Sequence, residues 1–148
     1  MTDYAIHVLD LCLSTIGPES YLADLRSPAS PQVAKMTCRN INTHVALVAK
    51  SPDAQGIPVL SGKARLGLST LVMALEQPPN TRLGRNVDLR APATAQWLRI
   101  AGEEIESLCA DGIERVSAGN LWMVRGGGDV CGGARLRFWR ARLAELIF

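Results

Sequence analysis

VLSGKARLGLSTLVMALEQ, residues 59–77, is the stretch that decides the fold class. Leu60, Ala64, Leu68, Leu71, Val72 and Leu75 recur mostly at three- and four-residue intervals, which on a helix lines them along one face. Pro78 and Pro79 follow at once, and neither can continue a helix, because proline lacks the amide hydrogen and crowds the preceding turn. The pattern predicts a core helix.

The same periodicity recurs on both sides. Residues 2–16 place Ile6, Leu9, Leu13 and Ile16 at helical spacing, with Thr2 or Asp3 as cap and Gly17-Pro18 as stop. A short helix is expected at 19–26, then an extended connection through Pro28 and Pro31. Residues 32–49 are apolar and expected to break near 37–40, and residues 51–58 read as a loop. Residues 80–90 are irregular and basic, and Pro92 is read as the first-turn proline of a second long helix, 93–110, stopped near Gly112. Residues 121–124 fit either a short strand or one buried turn. Residues 135–148 close the chain, with Leu136, Trp139, Leu143 and Ile147 at helical spacing. The expectation is a mainly α fold: one compact helical domain spanning 1–148, of five or six helices, with room for a short C-terminal β-hairpin.

Composition agrees. The chain has 148 residues, enough for one domain that buries about 70% of its unfolded surface. Hydrophobic residues are 47% and charged residues 20%, too apolar a balance for a disordered chain. Aromatics are only 5%, so Leu, Val, Ile and Ala must build the core, which favours helices over a β-sandwich. No secretory signal is visible and no apolar run is long enough to span a membrane. The cysteines Cys12, Cys38, Cys109 and Cys131 form no CxxC pair, so they read as reduced thiols in the cytoplasm, with no metal site.

Net charge is only +2, but it is unevenly spread. Residues 103–114 hold five acids and no base, whereas residues 115–148 hold six arginines against Asp129 and Glu145. The two segments can neutralise each other within one molecule.

Few residues suggest chemistry. Residues 56–64, GIPVLSGKA, fail as a phosphate loop: five residues separate the glycines instead of four, and Ala64 replaces the metal-holding hydroxyl. A catalytic Cys131 would need a base, and His7 and His44 sit in no catalytic pattern. His7, Cys12, Cys38 and His44 lack a zinc-ligand spacing. No catalytic set can be assembled and no cofactor is expected. The glycine-rich segment 126–133 could cradle a phosphate, but Asp129 would put a negative charge inside the cradle; it reads as a flexible joint before the last helix.

Residues 30–50 resemble a helix-turn-helix over some twenty residues. Val33 and Ala34 suit a first helix, residues 37–40 a turn, and Val45, Leu47 and Val48 the inward side of a second. Arg39, Asn40, Asn42 and Thr43 are types that reach phosphates and base edges. The alternative is two core helices with a polar kink. Arg82 and Arg85, with Arg135, Arg137 and Arg140 on the last helix, would hold phosphates, and Phe138 could stack on an unpaired base. Equally, the last helix's arginines could pair with the acids of 103–114.

Two functions follow. The first is a small non-catalytic regulator of transcription binding nucleic acid, DNA ahead of RNA, as a helix-turn-helix reader, a class that commonly dimerises on paired half-sites and so admits a homodimer. The second is a helical protein–protein interaction or assembly subunit, an adaptor or inhibitor, contacting its partner through Leu121, Trp122 and Met123.

Overall fold

The structure is a computed structural model that describes residues 31–82 and 84–147. The helices expected at 2–16 and 19–26 lie outside the described residues, as do His7 and Cys12. Within them the chain is mainly helical: α1 (Pro31–Lys50), α2 (Pro52–Gln55), α3 (Ala64–Leu75), a 3-10 turn (Gly84–Asn86), α4 (Val87–Ala110), α5 (Asn120–Met123) and α6 (Gly133–Ile147). No described helix is long and apolar enough to cross a membrane.

The expected turn at 37–40 does not form; α1 runs unbroken from Pro31 to Lys50. No glycine or proline interrupts it after its first residue. The polar side chains that suggested a turn bond instead to carbonyls four residues back. Thr37 Oγ1 donates to Val33 O at 2.9 Å, Asn42 Nδ2 to Cys38 O at 2.8 Å and Thr43 Oγ1 to Arg39 O at 2.8 Å. Such back-bonding absorbs polar groups into a helix without ending it. Pro31–Lys50 is therefore one helix and not a helix-turn-helix.

α4 is the centre of the domain. α1, α3 and α6 each pack on it, α1 most extensively. The main core joins Val45 and Ala46 of α1, Leu68, Leu71 and Leu75 of α3, Trp97, Ile100 and Ile105 of α4, and Leu136, Trp139 and Leu143 of α6. Each fully buried Leu or Ile side chain contributes about 1.5–3 kcal/mol. Trp97 is wholly enclosed, and a Cβ on Gly67 would lie 2.6 Å from its ring, so only glycine lets α3 approach α4 this closely. A smaller cluster of Cys38, Leu89 and Ala93 seals the other end of the α1–α4 contact.

The deciding helix is shorter than its apolar stripe. Residues 57–63 form turns, Gly62 adopts φ +69°, and α3 begins at Ala64. Leu60 is buried with Val48 and Ala54 in a separate cluster, not on the helix face. Pro92 lies inside α4 instead of in its first turn, because the helix already starts at Val87. α4 bends at Ala101 (φ −112°, ψ 25°), beside Gly102. Residues 120–123 resolve as one helical turn, not a strand. In place of a hairpin, the described residues contain a single antiparallel bridge between Arg115 and Val130.

Candidate interaction site

Glu76 ends α3 and Arg135 lies in the first turn of α6; both side chains are fully buried. Arg135 Nε donates to Glu76 Oε1 at 2.7 Å and Nη2 to Oε2 at 3.0 Å, a two-pronged pair. Trp139 Nε1 also donates to Oε1, at 2.6 Å, and the Gly119 amide to Oε2, at 2.7 Å. Arg135 Nη1 reaches the carbonyls of Val116 and Asp129, both at 2.9 Å. A charge survives burial only when paired and hydrogen-bonded in this way. The phosphate role expected for Arg135 is overturned: it faces inward and ties α3, α6 and the loop between α4 and α6 together.

The segment 126–133 is consequently a tied loop, not a free joint. The Val116 amide donates to Asp129 O at 2.9 Å, the Cys131 amide to Glu114 O at 2.8 Å, and Asp129 Oδ1 accepts from the Ala118 amide at 2.9 Å. The loop folds over Trp122, whose Nε1 donates to Gly128 O at 3.1 Å. A Cβ on Gly127 would fall 2.2 Å from the indole, so glycine is required there by close approach.

This clamp builds an open cleft between α5 and α6. The Trp122 and Phe138 rings stand 5.2 Å apart, and the Arg125 guanidinium lies 5.1 Å from the Phe138 ring centre. Arg137, Arg142 and Glu145 complete the walls around about 410 Å³, a volume typical of ligand pockets (roughly 300–1,000 Å³). Arg142 Nη1 donates to Glu145 Oε2 at 2.9 Å. Among the described residues no carboxylate pairs with Arg125 or Arg137, and the shielded Arg142 Nε has no acceptor.

The other expected site residues separate. Asn42 points into the core: its Oδ1 accepts from Trp97 Nε1 at 2.8 Å, which removes it from base reading. Arg39 and Asn40 are exposed on α1 and Thr43 is half-buried there; Arg82 is exposed just before the 3-10 turn and Arg85 within it. Arg140 is exposed and meets Glu106 at 3.6 Å, and Arg65 meets Glu114 at 2.9 Å, so part of the acidic segment is neutralised internally. Phe138 is buried beneath Trp122 and Arg125 and offers no face to a base. Leu121 is half-buried at the core edge, Trp122 half-buried in the cleft, and Met123 exposed. Glu76 as Arg135's partner escaped sequence reasoning. Its one trace is an acid placed directly after an apolar helix stripe.

The thiols of Cys109 and Cys131 show no activation. Burial pushes Cys109 up to about 11, with the neighbouring Cys131 adding to the shift, and burial also raises Cys131 despite Arg135 beside it. A thiol so shifted is protonated at neutral pH and a poor nucleophile. Cys38 is buried while His44, six residues on, is exposed.

Fold and site together define a small helical protein with an arginine–aromatic cleft beside a tied glycine loop. Residues 16–143 match the family described as "Protein of unknown function (DUF3632)", and the chain belongs to that family. No curated protein and no solved structure matches it.

Proposed function

We propose that this chain is a non-catalytic, cytoplasmic interaction subunit that contacts a protein partner through the surface around Trp122 and Met123. The observation that carries this reading is the gathering of exposed apolar and arginine side chains at one place. Met123 and Val124, 49% and 80% exposed, directly precede Arg125 at the rim of the cleft. Trp and Arg are the residues that most often dominate protein–protein binding energy, and Met is enriched at such surfaces. The raised thiols lend no support to a catalytic cysteine.

Nucleic-acid regulation is the second reading, and one observation favours it: Arg39 and Asn40 remain exposed on α1, and Arg82 and Arg85 remain exposed around the 3-10 turn. DNA stays ahead of RNA in it, and a homodimer would double the contacts. The same outward side of α1 carries Met36 and Leu47, each 53% exposed, which suits a protein surface better than a phosphate track.

The test is co-purification of the full chain from its native cells after nuclease treatment. A stoichiometric protein partner that Trp122→Ala and Met123→Asp both release is the expected result. A complex destroyed by nuclease, or one indifferent to both substitutions, would overturn the reading.

A further inference from the structure

We infer that the cleft between α5 and α6 receives an acidic linear segment of the partner, with carboxylates seated on Arg125 and Arg137. This rests on the protein-contact reading above and specifies the chemistry of the occupant. Three guanidiniums, from Arg125, Arg137 and Arg142, line the cleft against the single carboxylate of Glu145, which already pairs with Arg142. Arg125 and Arg137 therefore present cationic forks with no carboxylate partner among the described residues. Arg125 is held in place by its stacking on Phe138, so little side-chain freedom is lost when it binds. Arg142 meets Glu145 through Nη1, while its shielded Nε has no acceptor.

Carboxylates fit better than a nucleic-acid backbone. Strong polyanion binding draws on about six to ten phosphate contacts along a continuous basic track. Here the cleft gathers three arginines with Glu145 at its wall, Arg140 outside it meets Glu106, and the exposed Arg39, Arg82 and Arg85 do not line it. The remaining ring, Trp122, is packed against the Gly127 turn and tilted on Phe138, which leaves it no open stacking platform.

The test uses the full chain and a short dye-labelled polyglutamate peptide carrying one leucine, read by fluorescence anisotropy. A thymidine oligonucleotide of equal length runs alongside, with sedimentation of the chain alone. The expected result is saturable peptide binding that weakens at least about tenfold in Arg125→Gln/Arg137→Gln. Arg140→Gln, which leaves the cleft intact, should bind like the wild type. Tighter oligonucleotide binding through the same two arginines would overturn the inference in favour of nucleic acid. Self-association abolished by the double substitution would make a second copy the occupant. Absence of saturable binding, or a double variant that binds normally, would also sink it. A native partner released by Trp122→Ala but not by Arg125→Gln/Arg137→Gln would leave the protein-contact reading standing while this inference fell.

Discussion

Glu76 is the residue whose loss the rest of the molecule can least absorb, because it answers a charge that has no route to water. Glu76→Gln leaves Arg135 buried with its counter-charge gone, and removing one partner of a buried pair costs about 3–5 kcal/mol. Urea denaturation should show a loss of that size, whereas Glu106→Gln, at the exposed contact with Arg140, should change stability by under about 1 kcal/mol. Replacing Glu76 and Arg135 together by methionine should not restore the wild type, since the Val116 carbonyl would lose the Arg135 donor and the Trp139 indole and Gly119 amide would lose their acceptor. The buried thiol of Cys109 makes a second prediction. In the unfolded chain it ionises near the ordinary value of 9.0, but in the fold only near about 11. Its contribution to stability is thus fully present below pH 9 and is lost as pH rises toward 11. Denaturation midpoints should fall across that window, and Cys109→Ala should flatten the fall.

α1 is the element where sequence and structure part. Its apolar positions were legible, and so were most of the stripe of α3, the C-terminal part of α4 and the last helix, because burial imposes a 3.6-residue period on the pattern. The continuity of α1 was not legible: Thr37, Asn42 and Thr43 favour turns in isolation, and in the fold their side chains bond to carbonyls one turn back within the helix. Asn40→Pro decides the matter. In a turn or at a helix start proline is tolerated, but inside α1 it costs about 3 kcal/mol or more. A large drop in thermal stability is expected, and a neutral effect would restore the turn. The cleft was half legible. Trp122 and Met123 stood out by type, and Arg137 by charge. What no local pattern carries is the inward turn of Arg135 and the tie of the Gly119 amide, which depend on Glu76, 59 and 43 positions away in the chain.

Across the whole molecule, charge is partly settled internally. Arg135 answers Glu76, Arg140 meets Glu106 and Arg65 meets Glu114, leaving Arg125 and Arg137 as the cationic pair of a single cleft. A net charge of +2, part of it paired internally, supplies no strong overall attraction to a polyanion. The claim that the molecule meets a protein and not a nucleic acid is tested most directly by titrating salt against binding of the full chain to random duplex DNA. The account predicts no saturable binding even at about 50 mM salt, where phosphate contacts are strongest. Tight binding there, weakening on added salt with a slope of roughly 0.9 per phosphate contact, and shallower after loss of Arg39, Arg82 and Arg85, would contradict it.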